Sequence, residues 1–195
     1  MNVLVVFSHP RRQSFCGAVL DAFVDGLREA GHAAEIADLH GEGFDPRMTE
    51  ADEPDRTIVG KRYSDQVLKE QRRIERNASL VLIFPVWWWS FPAMLKGWID
   101  RVWNRDWAYG SRKLPHSRAL LIGTASAGSK TYDKYGYGEA MQAQLVTRIM
   151  RYCGIQNADL KLMFDSTDEQ EIRIAHLETA RRLGRDFAEV HRHPC

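Results

Sequence analysis

Five short apolar runs, each followed by a segment of helical period, constrain this chain more than any other feature. The runs lie at 3–7, 33–39, 80–84, 119–122 and 158–164. The first and third are almost continuously hydrophobic and rich in β-branched residues. That pattern suits strands buried on both faces, not strands with one wet side. Between them the period changes. From Ser14 onward Phe15, Val19, Phe23 and Leu27 recur every fourth position, with Ala22 widening the stripe; such spacing predicts an amphipathic helix. Gly31 suits its end. A charged helix over 64–78 offers Val67, Leu68 and Ile74 as contacts. Pro92 suits the first turn of the next helix, where Leu95, Trp98, Ile99 and Val102 share a face. Helix resumes near Glu139 and ends near Gly154. A closing helix spans 168–191, with Thr167 or Asp168 as cap and Ile172, Leu177 and Leu183 as buried candidates. Residues 123–138, rich in glycine, serine and tyrosine, read as loop.

Strand–helix alternation of this kind implies a parallel sheet covered by helices on both faces. Five strands match a flavodoxin-like, doubly wound α/β fold of strand order 2-1-3-4-5. The chain of 195 residues suits one domain over 1–195. Residues 40–63, with Gly41, Gly43, Pro46, Pro54 and Gly60, read as a long excursion from it.

Charge and sulfur narrow the function classes. Lys+Arg is 27 against 26 for Asp+Glu, so neither nucleic acid nor an anionic membrane is favoured as partner. Cys16, Cys153 and Cys195 form no CxxC and no regular framework. That implies reduced thiols and a cytoplasmic setting. The apolar start lacks a basic lead and a small-residue cleavage site. The apolar region 80–95 is broken by Pro85, Ser90 and Pro92, and falls short of the ~20 clean residues of a membrane span.

In an open parallel sheet, ligands bind beyond the carboxyl ends of the strands. The loop 8–13 carries His9, Arg11 and Arg12 and runs into a helix at Ser14. Free N–H groups at that helix start suit a phosphate, with the arginines adding charge; the plainer reading is a capped helix with solvated arginines. The loop after the third run carries Trp87, Trp88 and Trp89. Three consecutive indoles cannot all enter one core, so at least one faces the ligand side. It stacks there either on a flat ligand or on the long loop or a neighbouring subunit. The loop from Gly123 only approximates a nucleoside-triphosphate cradle, because Ser129 displaces Lys130 by one position. A tyrosine at its rim, such as Tyr132, could donate to a developing oxyanion. Tyr135 and Tyr137 fit loop packing equally well. There is no GxGxxG, no GxSxG and no HExxH, and no metal site is expected. His191 and His193 read as tail. Cys16 reads as a small buried residue, not a nucleophile.

These stretches resemble a known family. Leu4-Val5-Val6-Phe7-Ser8-His9-Pro10, Ser14-Phe15, Glu70-Gln71, the block Phe84 to Val102, and Trp107-Ala108-Tyr109 are similar to NAD(P)H:quinone oxidoreductases of the DT-diaphorase type. The similarity includes the small bacterial members that accompany potassium efflux systems. The resemblance implies a flavodoxin-like homodimer that holds FAD, or FMN as the alternative, without covalent attachment. NAD(P)H and then a quinone would use one pocket by ping-pong hydride transfer.

Carried over by position, His9, Ser14, Phe15 and Cys16 would form the phosphate and ribityl site, Cys16 standing where many members have asparagine. Gln71 would contact the flavin. Pro85, Val86, Trp87, Trp88 and Trp89 would wall the ring, Trp87 standing where glutamine is frequent. Thr124, Ala125, Ser126 and Ala127 would meet its polar edge, Ser126-Ala127 replacing a frequent Gly-Gly. Tyr132 would assist charge development on the ring. Its histidine partner in the mammalian enzymes falls at Gly138, so that relay is incomplete. Tyr109 would enter the pocket from the partner subunit, alongside Trp88 and Tyr132. Asp100 and Arg173 would meet the adenine half of FAD. Two other readings are an ancillary subunit docking on a potassium efflux transporter and a one-electron carrier. Balanced charge disfavours the carrier.

Overall fold

The computed structural model describes residues 1–187 except 56 and 59. The end of the expected closing helix, His191, His193 and Cys195 lie outside the described residues. Five strands form one parallel sheet: β1 (Asn2–Phe7), β2 (Ala33–Asp38), β3 (Ser79–Pro85), β4 (Arg118–Thr124) and β5 (Asn157–Met163). Their order is β2-β1-β3-β4-β5, as the sequence predicts. The helices are α1 (Phe15–Glu29), α2 (Asp65–Glu75), α3 (Ala93–Val102), α4 (Ser129–Tyr135), α5 (Tyr137–Met141) and α6 (Gln170–Arg185). α5 runs directly into a π-helical segment, Gln142–Arg151.

The pleat divides the strand residues between two cores. Leu4, Val6, Leu80, Leu82, Phe84 and Leu121 face one way and pack with Leu95, Trp98 and Val102 of α3. Val3, Val5, Phe7, Val81, Ile83 and Ile122 face the other and pack with Val19, Phe23 and Leu27 of α1. Because both faces are covered, every residue of β3 is buried. This explains why its sequence shows no alternation.

α6 departs from expectation. Ile172, Leu177 and Leu183 are only half-buried; its buried residues are Ala180 and Gly184. α1 and α6 approach backbone to backbone instead. A Cβ on Gly26 would lie 1.9 Å from the Arg181 carbonyl, and one on Gly184 would lie 2.1 Å from that of Phe23. Small residues set the closest approach, with Leu177 and Leu183 packed partly buried against the same core. Neither Thr167 nor Asp168 caps α6; Glu169 holds the cap position without a side-chain bond.

The segment 123–138 is not all loop. Residues Ser129–Tyr135 are helical, and helix resumes at Tyr137 rather than near Glu139. α4 buries only Tyr132, so no periodic stripe betrays it. It stops at Gly136, whose left-handed φ of 66° suits glycine. Pro92 takes the cap position of α3, one residue ahead of the first turn.

No helix or strand lies between β2 and α2 among the described residues. That excursion is nevertheless fastened. The buried Asp52 carboxylate accepts from Arg101 Nη2 at 2.5 Å, from the Ser64 amide at 2.8 Å and from Ser64 Oγ at 2.9 Å. Arg101 also donates to Gln66 Oε1 at 2.8 Å and to the Asp45 carbonyl. Burial raises the Asp52 carboxyl; the bonds from Arg101 and Ser64 outweigh this and hold it below the usual range. Gly97 lets α3 meet the excursion closely, since a Cβ there would lie 2.2 Å from the Pro46 carbonyl.

Candidate active site

The strand registers put Phe7, Pro85, Thr124 and Met163 at the carboxyl edge of the sheet. The strand order reverses between β1 and β3, so the loops after them diverge and leave a crevice. A cleft of about 200 Å³ opens there. The first loop contributes His9, Arg11, Ser14, Phe15 and Cys16; the second Pro85, Val86 and Trp87; the third Thr124 and Ser126; and the loop after β5 Ser166 and Thr167.

Ser14 caps α1, its Oγ accepting from the Gly17 amide at 3.1 Å. The Phe15 and Cys16 amides fall in the first turn, where no intrahelical acceptor exists. They and the helix dipole present positive potential to an anion. Arg11 lines this end. Arg12 does not join it: its guanidinium pairs with Asp21, at 3.1 Å through Nη1. The Arg11 amide donates to His9 Nδ1 at 3.0 Å, which leaves Nε2 as the ring's donor. Burial lowers the His9 pKa and favours this neutral form. Cys16 is buried and hydrogen-bonded with Thr124, and burial pushes its thiol up to about 12. It is no nucleophile at neutral pH.

The tryptophan loop is a tight turn. Trp87 and Ser90 exchange backbone bonds of 3.3 and 3.1 Å, with Trp88 and Trp89 between them at φ 51° and 53°. Two positive-φ residues make a primed hairpin turn, normally built from asparagine and glycine. Holding non-glycine residues there costs roughly 1–3 kcal/mol each. Trp87 is 45% and Trp88 88% exposed, so two of the three indoles face outward. Trp89 packs on Tyr137, centroids 4.1 Å apart. The third loop is fixed to its neighbours by main-chain bonds. The Val86 amide donates to the Thr124 carbonyl at 2.9 Å, Ala125 to Met163 at 2.8 Å, and Ser166 to Ala125 at 3.0 Å. Ala127 is half-buried beside Ser126.

Tyr132 lies beneath the rim, not on it. It is 3% exposed and packs on Phe164, centroids 4.8 Å apart. Burial raises its pKa, so the phenol remains protonated and able to donate. A Cβ on Gly138 would meet nothing within 4 Å, so the position is open to a side chain.

Several residues expected at the site lie elsewhere in the single chain. Gln71 is buried in α2 and donates to the Val102 carbonyl at 3.0 Å and to Asn104 Oδ1 at 2.9 Å. It borders a separate hollow of about 390 Å³ with Tyr63 and Trp107. That hollow is larger than the cleft but none of the residues lining the cleft borders it. Tyr109 packs near Tyr152, centroids 6.1 Å apart. Asp100 pairs with Lys96 at 2.6 Å on α3. Arg173 sits 5.0 Å from the Phe15 ring, near the phosphate end of the cleft. Asp100 and Arg173 thus belong to helices on opposite faces of the sheet. Ser166 and Thr167 were not expected in the cleft, although the carboxyl-end rule applied to β5 points to them.

Sheet order and helices together define a doubly wound α/β protein with an open crevice at its switch point. The chain belongs to the flavodoxin-like fold family, whose model matches residues 1–183. It is 32% identical over 192 residues to the uncharacterized NAD(P)H oxidoreductase YcaK of Escherichia coli, covering 97% of both chains. It is 28% identical over 208 residues to the mouse ribosyldihydronicotinamide dehydrogenase [quinone], covering 93% of this chain and 90% of that one. Among solved structures, an NAD(P)H:quinone oxidoreductase from Methanothermobacter marburgensis superposes with a TM-score of 0.93 at 31% identity, covering 100% of this chain and 99% of that one. Among the described residues no helix is long and apolar enough to cross a membrane.

Proposed function

We propose that this chain is a flavin-dependent NAD(P)H oxidoreductase that reduces quinones and similar flat electrophiles by two-electron, ping-pong hydride transfer. One observation carries the reading. The loops after four strands converge on one open crevice, lined by a helix start and by the outward-facing Trp87 indole. The names borne by its relatives support the same activity.

The residues present fit a flavin. The Phe15 and Cys16 amides, with Arg11, suit its phosphate. Pro85, Val86 and Trp87 offer an apolar wall to its ring, and Thr124 and Ser126 a polar edge. A flavin held there would supply hydride exchange between the nicotinamide and the acceptor. The protein orients both partners and excludes water around them. Tyr132, protonated and close behind the third loop, stands ready to donate toward developing negative charge.

Arg173 adds a second cation beyond the phosphate end, which favours FAD over FMN. Gln71, Asp100 and Tyr109 lie off the cleft in one chain, so their contacts would come from a second copy; we read the protein as a homodimer. Buried, unreactive Cys16 and Cys153 suit a cytoplasmic setting. Docking on a transporter has no specific observation in its favour.

The test is chemical. Acid releases the chromophore of the purified protein, and chromatography identifies it. FAD supports the reading whole. FMN keeps the reductase and removes the roles of Asp100 and Arg173. No binding of either flavin, even after incubation with both, overturns it.

A further inference from the structure

The turn at Trp88 and Trp89 cannot hold its own shape. Both residues occupy left-handed backbone without being glycine, at φ 51° and 53°. Such a conformation persists only where surrounding contacts over-determine it. The paired Trp87 and Ser90 close the turn, but a two-residue closure is compatible with several turn types. Trp88 is 88% exposed, so burial does not fix it either.

The contacts fall on Trp89. Trp88 stands edge-on to it at 6.0 Å and 70°. On its other side Trp89 meets Tyr137 at 4.1 Å and 35°. Tyr137 in turn stands edge-on to Tyr132 at 6.0 Å and 89°, and stacks on Tyr135 at 5.4 Å and 25°. Tyr137 is the first residue of α5 and follows the corner made by left-handed Gly136. One ring therefore joins the second loop to the third.

From this geometry we infer that Tyr137 is a positioning residue. It clamps Trp89, keeps Trp88 displayed beside the crevice, and ties that wall to Tyr132. The inference rests on the reading of the crevice as a flavin and acceptor site. Tyr137 acts through Trp89 and touches no reactant. A flat acceptor leaning on Trp88 would lose affinity when the clamp goes, while the hydride step would change little. Only the ring is required, not its hydroxyl.

The experiment is a mutant cycle on the flavin-loaded enzyme with NADH and 1,4-naphthoquinone. Tyr137→Leu raises KM for the naphthoquinone about tenfold, the upper end of what one aromatic pair supplies. Its kcat stays within about threefold, the pattern of lost uniform binding. Tyr137→Phe restores wild-type values. Trp88→Ala raises the same KM, and adding Tyr137→Leu to it changes nothing further, because the two act in series. Near-ultraviolet circular dichroism of the flavin-free protein provides a readout independent of turnover. The aromatic signal falls in Tyr137→Leu and survives in Tyr137→Phe. Tyr137→Met is measured alongside, so that a folded variant lacking the ring decides the matter. An unchanged KM in a folded variant that still binds flavin and turns over overturns the clamp and leaves the functional reading intact. So do additive effects in the double variant. A wild-type protein that binds no flavin and oxidises no NADH overturns the functional reading, and the clamp with it.

Discussion

Two irregular segments leave the strands on either side of β1 and are held in opposite ways. The excursion after β2 is long, charged and pinned by a buried carboxylate–guanidinium pair. The tryptophan turn after β3 is short, aromatic and strained. Asp52 in the excursion has its oxygens bonded by Arg101 and Ser64 and is fully buried. Trp88 in the turn is almost fully exposed and sits in backbone that it disfavours. One segment uses polar satisfaction to hold a long loop still. The other holds a large apolar surface open where a ligand would cover it. Strain and exposed aromatics set the turn apart; among the described residues of the excursion no non-glycine residue has a positive φ.

Breaking the excursion's pin gives the largest expected effect. Arg101→Ala leaves Asp52 buried without its cation, which costs about 3–5 kcal/mol. For a domain of this size that corresponds to a fall of roughly 6–20 °C in the thermal midpoint. Calorimetry checks it, and a fall under a few degrees would mean that the excursion does not need the pair. The same contrast is legible in pH. The folded-state pKa of Asp52 is depressed, so its stabilisation is fully present above the unfolded carboxylate value of about 4. It is lost as pH falls through the lower folded value. Urea midpoints measured from pH 6 down to 3 decline more steeply for the wild type than for Asp52→Asn.

The turn responds in the other direction. Trp88→Gly relieves left-handed strain and leaves folding stability equal or raised by about 1 kcal/mol. Turnover with flat acceptors falls, because the exposed indole next to the crevice-lining Trp87 is gone. Denaturant titration and steady-state rates on the same preparation separate the two effects; a destabilised Trp88→Gly would show that the turn carries no strain. The smallest effect is expected at Gly138. The space around it accepts a side chain, and α5 loses a glycine, so Gly138→His changes stability by no more than about 0.5 kcal/mol. If the added imidazole reaches the proton path, the pH profile of turnover gains an ionisation near roughly 6.5.

The sheet was legible because its signal is local: apolar runs of strand length, separated by helical period, leave few topologies. Ser14 was readable as a cap for the same reason. α4 was not, because it buries a single tyrosine and has no stripe. The sparse full burial along α6 was hidden too, because the closest approach runs through Gly26 and Gly184 while Leu177 and Leu183 are only partly covered. At the site, the resemblance pointed to His9, Ser14, Phe15 and the Pro85–Trp87 wall, and the structure brings these together. It could not say that Arg12 is taken by Asp21, or that Gln71, Asp100 and Tyr109 are absent from their own chain's cleft. Those facts depend on tertiary partners that spacing does not encode. The left-handed turn was equally invisible, since three tryptophans in a row carry no turn signal.

The central claim is that the crevice carries hydride between a nicotinamide and a flat acceptor. The most direct test follows the visible absorption of the flavin-loaded protein without oxygen. The account predicts that NADH or NADPH bleaches the flavin band, and that one equivalent of naphthoquinone restores it. A flavin band unmoved by either nicotinamide, or bleached and then unmoved by the quinone, would contradict it.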